Sequence, residues 1–448
     1  MSYKTYELYK DSGVEWIGKI PKHWVTKRAK YIFKELSIKN HPNEELLSVM
    51  KGKGLVPRKD VESGVVMAFK DLQNFKLVYP YQFVIHLRSF QSGFEMSKIR
   101  GIVSPAYSVF ELRNCEDSPS FFKYLFYCET FINYISSLVL SLRDGKPISY
   151  QLFGNMLLFL PPKNEQINIS DFLDNELSKI DFIVNNKQKQ VDTLKKYRQS
   201  LINETVLRGL NPSTKAKDSG MKWIGKIPEH WDLVRLKYLA INKSDSFVDG
   251  PFGSDLKTEH YTEYGVPIIQ LNNLGDGVHI NKNTKFTSEE KADSLKRSNT
   301  FPGDIVITKM MPVARAAIVN YDYDKYLISS DCIKFLANEK IVDKKFIIYS
   351  INARYFRINA ESYSTGSTRL RTNLSLVKNF KIVFPPKEEQ IEIANYLDRT
   401  THEIDETVLK INEQIEILKK YRQSIIYEAI TGKIDVRNYK KQNMEVKL

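Results

Sequence analysis

The chain has 448 residues, of which 42% are hydrophobic and 12% aromatic, and its 67 Lys and Arg outnumber 53 Asp and Glu to give a formal charge of +14. That length and apolar content exclude a disordered chain and allow two or three domains, each with its own core. The basic excess favours a polyanionic partner, although a merely soluble basic protein has the same balance.

Cys115, Cys128 and Cys332 have no CxxC spacing and no histidine cluster beside them, which argues against a disulfide frame or a zinc site. The opening MSYKTYELYKDSG is too polar for a signal peptide, and no apolar run reaches the ~20 residues of a membrane helix. The expected location is the cytoplasm.

Residues 11–31 (DSGVEWIGKIPKHWVTKRAKY) recur at 218–238 with 14 of 21 positions identical, and residues 161–200 recur at 385–424 with 20 of 40 identical. Two constant frames therefore hold two unlike inserts, a plan suited to reading two different things. In chain order, residues 1–155 begin with the Gly- and Pro-containing WIGKIP turn. Short strands follow at Gly64–Phe69, Phe83–Leu87 and Tyr107–Leu112, then a helix over Pro119–Leu142. Residues 156–212 open with the strand LLFLPP, which ends at its Pro-Pro pair, and continue as one long charged helix. Residues 213–380 read as a second mixed unit with more strand than helix. Residues 381–438 repeat the strand and long helix, and 439–448 form a polar tail. The fold class is α+β: two mixed α/β domains in tandem pseudo-repeat, separated by two long antiparallel coiled-coil helices.

The helices carry the clearest periodicity. Ile404, Val408, Ile411, Ile415, Leu418, Arg422, Ile425 and Ala429 are spaced 4,3,4,3,4,3,4, which is a heptad seam. The first copy has Ile180, Val184, Lys187, Val191, Leu194, Arg198, Leu201 and Thr205 in the same register. Neither stripe can be hidden alone, so the two helices are expected to bury them against each other. The stripes are narrow enough to leave other faces for partner chains; the plainer alternative is a hairpin that only spaces the domains. Each seam covers 25 residues, roughly 37 Å of helix. At ~3.4 Å per base pair that length corresponds to about 11 base pairs of duplex.

Catalytic motifs are not found. There is no GxxxxGK[ST] loop, and Lys51-Gly52-Lys53-Gly54 is a basic turn without the strand–helix frame of a dinucleotide site. The Pro-Pro pairs follow Leu160 and Phe384 and precede a Lys, so they lack the polar and aromatic flanks of an amino-methyltransferase motif. His23 and His230 hold matching positions beside Trp24 and Trp231, and packing is the preferred role for them.

Binding chemistry remains. In the second insert, SFVDGPFGSDLK (246–257) is a Gly/Pro turn offering Phe252, Ser254 and Lys257. Lys309 and Arg315 add charge, and STGSTRLR (364–371) presents Thr368, Arg369 and Arg371, residue types suited to phosphate contacts or to reading guanine. In the first insert the corresponding stretch SLRDGKPISY (141–150) carries Arg143, Lys146 and Tyr150, joined by Lys51, Lys53, Arg58, Arg88 and Arg100. For any one of these, an ordinary solvated charge is the competing reading.

The order WIGxIPxHW, insert, hydrophobic-PPxxEQ helix, then the same again, resembles the specificity subunit of a bacterial type I restriction–modification enzyme along nearly the whole chain. The phrases GPFGSDLK, YGVPIIQLNNL (264–274), FPGDIVITKM (301–310) and GSTRLRTNLS…FPPKEEQ (366–390) strengthen it. The first insert shares only the looser VSPAYSVF (103–110). The resemblance implies a non-catalytic DNA-binding subunit with two target-recognition domains, each reading half of an asymmetric split site. It implies helices that dock two methyltransferase (modification) subunits and, through them, restriction/translocase subunits. No cofactor is expected on this chain; S-adenosylmethionine, ATP and magnesium would belong to the partners. The alternatives are a stand-alone DNA-binding regulator or adaptor and a self-contained adenine DNA methyltransferase, whose motifs are not found.

Overall fold

The computed structural model describes residues 3–14, 16–61, 71–85, 93–138, 148–310, 312–364 and 370–439. The expected strand at 64–69 lies outside them. The chain forms two compact units: one joins residues 1–188 with 412–448, and the other is the continuous stretch 189–411. The division falls within the long helices, Lys163–Arg208 and Lys387–Ile430.

Both units are built on the same frame. In the first, the hairpin of Tyr9–Asp11 with Lys19–Pro21 leads into Val25–Arg28, which pairs antiparallel with Leu157–Leu160. In the second, Ala216–Asp218 with Lys226–Pro228 leads into Asp232–Arg235, which pairs with Lys381–Phe384. The registers correspond residue for residue: Val25 opposes Leu160, and its repeat equivalent Asp232 opposes Phe384. In each unit the strand stops at a Pro-Pro pair, because proline has no N–H to continue the ladder. The long helix begins immediately after, at Lys163 or Lys387.

The first insert has a four-stranded antiparallel sheet in the order Phe33–Leu36, Ser108–Leu112, Phe83–Ile85, Phe94–Met96. Its core is aromatic. Phe33 meets Phe83, Phe110, Phe122, Phe126 and Phe153 with ring centroids 4.9–6.0 Å apart. The single helix expected over 119–142 is two, Pro119–Tyr127 and Glu129–Leu138. Cys128 takes an extended conformation, and its carbonyl accepts the N–H of Ile132, so it starts the second helix instead of prolonging the first. The apolar pattern continues through the break, which is why periodicity alone does not show it.

The second insert holds two five-stranded sheets. One orders Phe247–Asp249, Cys332–Phe335, Ile305–Thr308, Ala316–Ile318 and Gly277–Val278. The helices Lys344–Asn352 and Arg354–Ser362 pack on its core through Phe346, Ile347, Ile351 and Phe356.

Within each unit the long helices run antiparallel. In the first, Arg422 Nε donates to Asp181 at 3.2 Å and Lys187 to Gln414 at 2.6 Å, so residue numbers rise along one helix as they fall along the other. In the second, Arg198 Nε lies 2.9 Å from Asp405. Arg198 and Arg422 are repeat equivalents, as are Asp181 and Asp405, both 224 residues apart. One ion pair therefore occurs twice with the roles of the helices exchanged. Such exposed pairs contribute only about 0–1 kcal/mol each, so they act on register more than on stability.

Candidate nucleic-acid interface

The repeated motifs are bonded to each other. Glu165, the acidic residue of PPKNEQ, accepts from Tyr6 OH at 2.8 Å and Trp24 Nε1 at 2.9 Å and lies 2.6 Å from His23 Nε2. Glu389 does the same for Trp231 at 3.0 Å and His230 at 2.7 Å. Burial, then the bond to Glu165, pushes the Tyr6 hydroxyl well above its usual range. The glutamine that follows ties in the insert. Gln166 accepts from the Ser118 N–H and donates to Pro161 O; Gln390 accepts from the Asp343 N–H and donates to Pro385 O. Ser118 and Asp343 are the N-caps of Pro119–Tyr127 and Lys344–Asn352, one helix in each insert. Two chemically unlike inserts are thus held by equivalent Glu–Trp–His and Gln contacts.

In the second insert four segments meet on one face. Gly250 N–H donates to Cys332 O, Lys309 N–H to Asp331 O and Thr372 N–H to Lys309 O, at 2.8–2.9 Å. Met310 and Arg371 form an isolated β-bridge. Gly250 is required there: a Cβ would lie 1.9 Å from Ser329 O. The turn that follows projects Phe252, 81% exposed, with Ser254 also exposed. Lys309 is nearly buried and makes an ion contact with Asp249 at 3.0 Å, while Arg371 donates to Asp331 at 3.2 Å. Lys257 lies 3.4 Å from Glu259. Arg315 is committed elsewhere, to Leu274 O at 3.0 Å and to Asp276, which it shares with Arg357. Thr368 and Arg369 lie outside the described residues. A cavity of about 680 Å³ in this unit, lined by Ile202, Asp276, Ile348, Asn352 and Arg357 among others, is separate from the face.

In the first insert Lys51 and Lys53 are exposed at the turn joining strands Leu47–Met50 and Gly54–Pro57. The buried carboxylate of Glu95 holds this turn, accepting from Gly52 N–H at 2.8 Å and Gly54 N–H at 3.1 Å and from Tyr127 OH. Burial raises the Glu95 pKa above the ordinary 4.5, against the lowering effect of these bonds. Arg58 is half-buried and starts a single 3₁₀ turn. Arg100 pairs with Glu44 at 2.6 Å and lies over the Tyr79 ring. Tyr150 packs its ring on Phe110 and Phe153 with its hydroxyl buried, so it faces the core. Arg88, Arg143 and Lys146 lie outside the described residues.

On the long helices Ile180, Val191, Ile404, Ile415 and Ile425 are buried. Val184, Leu194, Leu201, Val408, Ile411 and Leu418 are half-buried. Sequence reasoning missed Asp249, Asp331 and Glu95, since nothing local marks an acid that orders a basic loop. Glu165 and Glu389 carried a signal, their repetition within PPxxEQ.

Residues 229–417 match the family described as Type I restriction modification DNA specificity domain. That match covers the second insert and the start of the second long helix, and less than half of the chain. The chain is 27% identical over 295 residues to the type I restriction enzyme MjaVIII specificity subunit of Methanocaldococcus jannaschii, a match covering 65% of this chain and 65% of that relative. Under two thirds of the relative's length is therefore spanned. A solved structure from work on complex assembly and conformational transition of the type I R-M system superposes with a TM-score of 0.71 at 15% identity, covering 93% of this chain and 99% of the other. The HsdS subunit from Thermoanaerobacter tengcongensis gives 0.50, also at 15% identity, over 93% and 98%. At 15% identity these structures show a shared fold. No helix among the described residues is long and apolar enough to cross a membrane.

Proposed function

We propose that this chain is the non-catalytic, sequence-specific DNA-binding subunit of a type I restriction–modification assembly in the cytoplasm. Each insert reads one half of an asymmetric bipartite site. The observation that carries this reading is the pair of equivalent clamps, Glu165–Trp24 and Glu389–Trp231, holding two unlike inserts. Selection that kept the frames and let the inserts diverge is what two independent readers require. The exposed lysines of the Glu95-held turn supply phosphate contacts, which position without specifying. The face around Phe252 and Arg371 supplies base contacts.

The long helices dock two modification subunits, which bring S-adenosylmethionine, and through them the restriction subunits, which bring ATP and magnesium. In support, large apolar side chains stand exposed on these helices away from the seam: Phe182, Ile417 and the repeat equivalents Tyr197 and Tyr421, between 43% and 66% exposed.

The test is methylation mapping in cells with and without the chain, and with residues 25–155 exchanged for the insert of another family member. Loss of a bipartite methylation pattern on deletion, and a change in one half-site only on exchange, support the proposal. A pattern that is unaffected by deletion, or altered in both halves by exchange, refutes it.

A further inference from the structure

We infer that Asp331 and Arg371 act together as the reader of a single G·C base pair, Arg371 taking the guanine edge and Asp331 the cytosine amino group. This rests on the proposed DNA-reading role of the second insert and names what that face reads. The two groups are held in place from the backbone. Arg371 is bridged to Met310, Thr372 N–H is bonded to Lys309 O, and Lys309 N–H is bonded to the carbonyl of Asp331 itself.

Their side chains share one hydrogen bond, Arg371 Nη2 to Asp331 Oδ1 at 3.2 Å, and remain 51% and 32% exposed. A guanidinium has five N–H donors and a carboxylate two acceptor oxygens. Among the described residues no other hydrogen bond uses these side chains, so most donors of Arg371 and the second oxygen of Asp331 are open to a ligand. They present donors beside an acceptor.

That order matches one kind of base pair. Across the major groove a G·C pair shows two acceptors, N7 and O6 of guanine, followed by the N4 amino donor of cytosine. An A·T pair shows acceptor, donor, acceptor, which would set the adenine amino group against arginine donors. A phosphate is a poor ligand for the same pair, because the carboxylate next to the guanidinium repels it. The neighbouring Lys309 is likewise matched by Asp249, at 3.0 Å. Two cations balanced by two acids make a face suited to base edges, unlike the Lys51–Lys53 turn, whose lysines stand exposed.

The test is selection from a random-sequence DNA duplex library by the full chain purified with the subunits that accompany it. Arg371→Ala and Asp331→Ala should each lose preference at the same G·C position, by roughly 5- to 150-fold, with other positions unchanged. Arg371→Lys, which keeps the charge but not the planar fork, should relax that position too. Asp331→Ala alone should tighten binding to unselected duplex and steepen the log–log salt dependence by up to about 0.9, since it frees a cation for phosphate. If the two alanine variants relax different positions, or a position that is not G·C, or weaken all sequences equally, the paired reader is wrong while the DNA-reading role stands. If the unaltered protein enriches no sequence, the DNA-reading role falls and this inference with it.

Discussion

Glu165 and Glu389 occupy the same place in the repeat but not the same environment. Glu165 is buried and accepts from Tyr6 as well as Trp24. The Glu389 side chain is 36% exposed, and Ser213 stands where the repeat would place a partner like Tyr6. Glu165→Ala should therefore cost about 2–4 kcal/mol, because it strands a buried indole N–H and a buried hydroxyl, and Glu389→Ala only about 1 kcal/mol. Chemical denaturation of the two variants checks this, and equal losses would mean that the clamps are energetically alike. Glu95 gives a pH signature. Its pKa is raised on folding, so the folded state binds more protons than the unfolded one just above the ordinary 4.5. Stability from this group is thus fully present at lower pH and declines as pH rises through the window above 4.5. Glu95→Gln removes an acceptor needed by Gly52, Gly54 or Tyr127 and should destabilise by about 1–3 kcal/mol. The gap from the unaltered protein should be widest near pH 5 and shrink toward pH 8. A gap of constant size in thermal unfolding at the two pH values would show that Glu95 does not titrate there. Glu95 was not legible in advance as an organiser, since it is 41 residues or more from the turn it holds, whereas Glu165 and Glu389 were marked by their repetition.

At the scale of elements, the helices were the most legible part of the sequence, because a 4,3 spacing sustained over more than three heptads has few other uses. The frame strands were legible from repetition and from the Pro-Pro stop. The inserts were not, for physical reasons that can be named. Strands of two to four residues, such as Gly277–Val278 and Asn299–Thr300, carry no measurable alternation, and the sheets that unite them pair residues far apart in sequence. The break at Cys128 rests on a single backbone conformation within an apolar stretch. Among the candidate contacts, residue type pointed to cations but not to their partners. Arg315 is spent on Leu274 O and Asp276, and Tyr150 on the aromatic core. The seam itself can be tested. Ile415 is 4% exposed and Leu418 half-buried on the same stripe. Replacing both with Asp places charge in an apolar setting and should cost several kcal/mol. The exposed Ile417 changed to Ser should leave unfolding within about 0.5 kcal/mol and, on the proposed reading, weaken recovery of the modification subunits. Unfolding midpoints and co-purification yields separate the two faces. A seam double variant of unchanged stability would move the buried stripe elsewhere.

For the whole molecule, the frames repeat while the inserts differ, so any quantity set by the frames should be common to every insert they carry. Spacing is such a quantity on the proposed reading. The helices are 46 and 44 residues long, and their cross-helix pairs, Asp181–Arg422 and Arg198–Asp405, are repeat images of each other. A change of length must therefore be made in both helices to keep these pairs in register. Four residues inserted after Val191 and four after its repeat equivalent Ile415 add about one turn, or ~6 Å, to each. If the helices set the distance between the half-sites, the unread spacer should lengthen by one or two base pairs, at ~3.4 Å per pair, with both half-site sequences unchanged. An added base pair or two also rotates one half-site about the duplex axis, by a fraction of the turn that takes roughly 10 base pairs. The variant should accordingly bind its lengthened site more weakly than the unaltered protein binds its own, yet still prefer it over the original. Inserting into one helix alone should disrupt a cross-helix pair and reduce assembly on any site. Methylome sequencing of the three proteins decides the matter, because each modified position reports both half-sites and the bases between them. Methylation retained solely at the original spacing by the doubly lengthened protein would mean that the helices hold partners without measuring DNA.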